Sequence, residues 1–186
     1  APADERECRQ MLTTAYLHTG PAAVRYPRGT GPGRQPGSDL EPVATGKASI
    51  CRRGHRVAIL AFGSRVAAAL DAAGEIDASV VNMRFIKPLD REVILAMAQQ
   101  HDLLVTVEEH AVAGGAGSAV NEALADADCN CTLLNLGIPD RFINHGDHAG
   151  QLAECGLDAA GILSAITAHP VFRQATTGPS KESSLA

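Results

Sequence analysis

Hydrophobic and polar positions along this chain fall into blocks of two different periods. In "ERECRQMLTTAYLHT", Met11, Leu12, Ala15 and Tyr16 recur at helical spacing, with Asp4 placed to cap the first turn and Gly20 to stop the last. "AAVRYP" follows as a short strand-like run, and residues 29–46, "GTGPGRQPGSDLEPVATG", then lose all periodicity in favour of Gly and Pro. Such a stretch reads as a linker over a surface, with a domain boundary in it.

Beyond residue 46 the pattern becomes cyclic. "KASICRRGHRVAILAFG" reads as two extended runs about Arg53-Gly54, a hairpin, and Val57 to Phe62 is apolar without alternation, as in a strand covered on both faces. Ser64 caps "RVAAALDAA" and Gly74 stops it. "ASVVNMRFI" is the next strand, Asp90 caps "REVILAMAQQ", and "DLLVTVEE" is a third buried strand. "GSAVNEALADA" is a helix, "CTLLNLGI" a fourth strand, Asp147 caps "HAGQLAEC", and "DAAGILSAITAH" closes the series.

Strands alternating with helices predict an α/β fold: a mainly parallel sheet over residues 47–170 with helices on both faces. Residues 1–28 begin with a helix feeding a strand, with no strand before them, and are expected to be the helix-strand end of a second, larger α/β domain. Residues 29–46 are the linker, and the polar segment 171–186 reads as a disordered tail.

Composition narrows the functions. The 186 residues carry a formal net charge of -5, which argues against a nucleic-acid partner. No apolar run approaches the ~20 residues of a membrane-spanning helix, so the chain reads as soluble and cytoplasmic with no membrane partner. Hydrophobic residues make up 45% of the chain, enough for a substantial core. The five cysteines form no C-x-x-C and are expected to be reduced; Cys129-Asn-Cys131 is read as a loop running into a strand rather than a metal fragment.

Several stretches carry polar groups suited to chemistry. "EEHAVAGGAGSAV" sets Gly114, Gly115 and Gly117 between strand and helix, but has no Gly-Lys-Ser/Thr and no complete G-x-G-x-x-G, so a tight crossover turn is favoured over a phosphate loop. Glu108 and Glu109 end a strand on opposite faces, which excludes a cooperating acid-base pair; one of them is expected to hold the glycine-turn amides. His145 and His148 have the spacing of a metal pair, yet Gly146-Asp147 begins a helix between them, so they are read as a loop histidine and a first-turn histidine. In "NMRFIKPLD", Arg84 and Lys87 either form an anion site or leave Arg84 paired with a neighbouring carboxylate. Arg25, at the end of its strand before the rigid Tyr26-Pro27 step, either grips a phosphate or carboxylate with two hydrogen bonds or makes an inter-domain ion pair.

Together "GPAAVRYPRG", "NMRFIKPLD", "VTVEEHAVAGGAGSAVNE" and "LGIPDRFINHGDHAGQLAECGLDAAGI" resemble the carboxyl-terminal portion of the 1-deoxy-D-xylulose-5-phosphate synthase family, in the transketolase superfamily, over residues 1–168. The resemblance implies a transferase that condenses pyruvate with D-glyceraldehyde 3-phosphate, releases CO2, and serves isoprenoid and thiamine biosynthesis. It implies thiamine diphosphate and Mg²⁺ as cofactors of a complete homodimeric enzyme, whose amino-terminal and central domains are missing partners of this chain. On that map residues 1–28 end the pyrimidine-binding central domain and 47–170 form the third domain. Arg25 matches the family arginine that binds the substrate phosphate, the one site residue carried over. The cofactor's Gly-Asp-Gly motif has no match, since Gly146-Asp147 is followed by His148, so this chain alone is expected to bind no cofactor and be inactive. The rival readings are a non-catalytic dimerisation or interaction module and a piece of another transketolase-superfamily enzyme.

Overall fold

The computed structural model describes residues 1–38 and 40–176, the side chains of 174–176 excepted. Five strands form one sheet: β1 (Ser49–Arg52), β2 (Val57–Ala61), β3 (Ser79–Asn82), β4 (Leu103–Ala111) and β5 (Thr132–Ile138), in the order β1-β3-β2-β4-β5. β3, β2, β4 and β5 run parallel, and β1 lies antiparallel on the edge of β3. The helices are α1 (Glu5–Leu17), α2 (Arg65–Ile76), α3 (Arg91–Gln100), α4 (Ala116–Asp126), α5 (His148–Glu154), α6 (Ala159–Ala168) and α7 (Pro170–Thr176).

β2 is buried along its whole length. Its odd positions, Val57, Ile59 and Ala61, join a core with Val66 and Ala69 of α2 and Ile162 and Ile166 of α6. Its even positions, Ala58 and Leu60, followed by Phe62, join a second core with Ile94 of α3 and Val120 and Leu124 of α4. Apolar residues on both sides of the pleat are therefore needed, and period-two alternation is absent for that reason. Asp4, Asp90, Asp147 and Asp158 cap α1, α3, α5 and α6 by accepting backbone N–H bonds from the first turn.

Several expectations are corrected. β1 and β2 make no hairpin, because β3 lies between them: Ser49 pairs with Asn82, and Ala61 pairs with Asn82 from the other side. Gly54 suits this crossing, since a Cβ there would clash with the carbonyl oxygen of Asp77. Gly74 does not stop α2, which runs on to Ile76 and ends at Asp77 in the left-handed region (φ 50°). Ser64 makes no cap bond to α2, its hydroxyl being turned to Glu109. β3 ends at Asn82 rather than continuing to Ile86, because Arg84 adopts φ 58° and turns the chain away. "AAVRYP" is no strand, and no described strand pairs with it.

Part of the segment expected as a disordered tail is helical. α7 begins at Pro170 and packs Val171 and Phe172 against the α2–α6 core, with the Arg56 guanidinium 5.5 Å from the centre of the Phe172 ring. Residues 177–186 lie outside those described.

The α1 stripe is only half used. Met11 is buried, whereas Leu12 is 50% and Tyr16 88% exposed. α1 is joined to the sheet chiefly by Glu7, whose buried carboxylate accepts from the Nδ2 of Asn82 at 2.9 and 3.0 Å, the Nε of Arg84 at 2.6 Å and the N–H of Ala3 at 2.7 Å. Three donor groups replace the water lost on burial.

Asp77 ties the β1–β2 connection to the end of α2. His55 Nδ1 lies 2.8 Å from its carboxylate and Arg52 3.0 Å, and the His55 bond, followed by the Arg52 bond, holds the Asp77 carboxyl below its ordinary pKa. Because the folded value is depressed, the contribution is present above the unfolded carboxylate pKa and is lost as pH falls through the folded value. Urea denaturation of the wild type and Asp77→Asn across the acid range should show a shallower loss of stability for the variant; parallel pH profiles would reject the assignment.

Candidate functional site at the carboxyl edge of the sheet

β4 reaches the carboxyl edge with Glu108 and Glu109 on opposite faces, the position at which parallel α/β sheets gather ligands. Glu108 is 2% exposed and accepts the N–H groups of Ala116 at 2.7 Å and Gly117 at 2.8 Å. It closes the amino end of α4 from within. A Cβ on Gly115 would stand 2.5 Å from both the Ala111 carbonyl oxygen and Glu108 Oε1, and one on Gly117 would stand 2.7 Å from Thr106 Oγ1. The glycines thus allow close packing around a carboxylate, as expected of a crossover turn.

Glu109 points to the other layer. Its Oε1 takes Arg65 at 2.6 Å and the Ser64 hydroxyl, while His148 Nε2 lies 3.8 Å from Oε2. Arg65, itself buried, continues to the Leu157 carbonyl oxygen at 2.9 Å and so fastens α2 to the turn before α6. His148 opens α5 and His145 stands in the loop before it, as their spacing about Gly146-Asp147 implied. Cys129 and Cys131 likewise precede β5 in a loop.

Arg25 is exposed, and its guanidinium donates to the main-chain carbonyl of Glu109 at 3.4 Å. No carboxylate pairs with it among the described residues. Arg25 borders a cleft of about 740 Å³ together with Lys87, Glu108, His110 and the Gly114–Gly115 turn. Of the two readings of "NMRFIKPLD", Arg84 takes the carboxylate pair, with Glu7, while Lys87 lines the cleft. Glu7, Ser64 and Arg65 were not singled out from sequence as partners of these groups. Glu7 and Ser64 resemble ordinary first-turn residues, and their partners are 75 and 45 positions away.

The model of the transketolase carboxyl-terminal domain matches residues 46–162. This chain belongs to that family. A 1-deoxy-D-xylulose-5-phosphate synthase of Methylobacillus flagellatus is 59% identical over 166 residues, covering 89% of this chain. Its counterpart from Bordetella parapertussis is 59% identical over 169 residues, covering 91%. In both cases the chain spans only 27% of the relative's length. Among solved structures, a split-gene transketolase described as an inactive beta4 tetramer is 32% identical with a TM-score of 0.77, over 88% of this chain and 54% of that one. The resemblance drawn from "VRYPRG" and "GLDAAGI" therefore holds, and the sheet with its helices is a transketolase carboxyl-terminal fold.

In this domain the Glu108 carboxylate is the acceptor for two buried amides and cannot be removed without leaving them unpaired. Glu108→Ala should destabilise the chain by about 2–4 kcal/mol, from two unmet donors and a lost helix cap. Chemical denaturation measures this, and a loss under about 1 kcal/mol would contradict the role.

Proposed function

We propose that the chain is the carboxyl-terminal part of a 1-deoxy-D-xylulose-5-phosphate synthase, supplying the third domain and one substrate-binding arginine, Arg25. The observation that carries this is the pair of relatives of that name at 59% identity, each aligned with about nine-tenths of this chain. The complete enzyme would condense pyruvate with D-glyceraldehyde 3-phosphate and release CO2, as a homodimer in the cytoplasm, with thiamine diphosphate supplying the carbanion chemistry and Mg²⁺ holding its diphosphate.

The residues of this chain do not fit that cofactor. The α4 amides that could meet a diphosphate are taken by Glu108, and Asp147 is engaged by the Gly150 N–H at 2.9 Å. The cofactor's ligands would come from the amino-terminal and central domains. What this chain does toward substrate is done by Arg25, whose planar guanidinium presents parallel donors to a phosphate. Holding the phosphate, remote from the reacting carbon, orients the aldehyde and makes binding energy available to the reaction. The inactive beta4 tetramer of the split-gene neighbour supports a chain that assembles with itself yet does not turn over alone.

Two measurements test the reading. Calorimetry of the isolated chain with thiamine diphosphate and Mg²⁺ should give no stoichiometric heat; Mg²⁺-dependent binding at one equivalent would overturn it. In a complete enzyme containing this segment, Arg25→Ala should raise the KM for D-glyceraldehyde 3-phosphate by about tenfold or more, the size of a lost charge-assisted contact. An unchanged KM would reject the arginine's role.

A further inference from the structure

We propose that Cys129 and Cys131 close a reversible disulfide by exchange with a low-molecular-weight disulfide of the glutathione type, which makes the loop between α4 and β5 a redox-responsive modification site. This is independent of the reading of Arg25 given above.

The local backbone brings the two thiols together. The N–H of Cys129 donates to the Leu124 carbonyl at 3.0 Å, at the end of α4, and Thr132 opens the β5 ladder opposite Leu103. Between these points burial alternates: Cys129 and Cys131 are half-buried and pack, with Leu133, against the core shared by α3 and α4, while Asn130 is exposed. Positions 129, 131 and 133 thus face one side, as alternate residues of a strand do. Burial first, and then the sulfur of Cys129 beside it, push the Cys131 thiol above its ordinary pKa. Cys8 and Cys51 are raised chiefly by burial, with no second thiol acting on them.

Two residues of extended backbone separate Cα atoms by about 6.6 Å, at the upper end of the roughly 4.4–6.8 Å that a disulfide spans. Closing the bond therefore draws the loop in, and a ring this small removes little entropy from the unfolded chain. Such a bond is easily reduced, which suits a switch rather than a staple. The β5 ladder begins after both cysteines, so closure breaks no strand pairing.

In the exchange, one cysteine thiolate attacks a sulfur of the small disulfide and expels a small thiolate, leaving a mixed disulfide on the protein. The second cysteine loses its proton and attacks the sulfur of the first, and the other small thiolate leaves as that S–S bond breaks. The protein has given up two hydrogens, and the small disulfide ends as two thiols. Excess small thiol drives the same steps backward.

Mass spectrometry tests this on the folded chain, treated with oxidised glutathione at a concentration that modifies exposed Cys51, then blocked with iodoacetamide and digested with trypsin. Cleavage after Arg91 and Arg141 releases residues 92–141, which contain these two cysteines and no other. That peptide should lose two hydrogens and take up no iodoacetamide, and excess reduced glutathione should restore both thiols. Cys129→Ser and Cys131→Ser should each abolish the loss, leaving one alkylated or glutathionylated cysteine. Two alkylated thiols in the wild-type peptide, or a separate glutathione on each cysteine, overturn the proposal. So does a bond that forms in urea but not in the folded chain, or one that joins a different pair.

Discussion

Glu108 and Glu109 leave one strand in opposite directions, and each carboxylate is held by the helical layer it enters. Glu108 takes two amides at the start of α4, and Glu109 takes Arg65 and Ser64 at the start of α2. The end of β4 is thereby clamped from both sides at the sheet's carboxyl edge. Glu108 is buried and the Glu109 side chain is only 12% exposed, so each needs its donors in place, and a displaced helix would leave a poorly hydrated charge unmet. The main-chain carbonyl of Glu109, just after these two side chains, is the one that receives Arg25. A rigid strand end gives that arginine a fixed partner.

A second buried carboxylate extends the same logic to the amino-terminal segment. Glu7 gathers Asn82, Arg84 and the Ala3 amide, so α1 is anchored on the turn that leaves β3. Arg84 stands at φ 58°, a region costly for a residue with a side chain, and its bond to Glu7 helps hold it there. Lys87, three residues on, follows from that turn. Arg25 and Lys87 border the same cleft.

Much of the domain was legible before any coordinates. The unalternating β2, the aspartate caps of α1, α3 and α5, and the glycine crossover after β4 each depend on residues within a few positions of one another, so the local pattern suffices. The errors share the opposite property. A hairpin about Arg53-Gly54 is locally plausible, but β1 pairs instead with β3, as Ser49 with Asn82 and Arg52 with Val80. Ser64 has the type and place of a cap, but a carboxylate 45 residues on takes its hydroxyl. α7 looks like a polar tail until Val171 and Phe172 find the α2–α6 core.

By itself, then, the sequence determined the α/β class and the family. These are written in periodicity, turn residues and motifs, all short-range. Only the tertiary structure decided strand order, the carboxylate clamps of Glu108 and Glu109, and the pairing of Arg84 with Glu7. Those follow from which distant surfaces exclude water together, and such exclusion has no local signature in the chain.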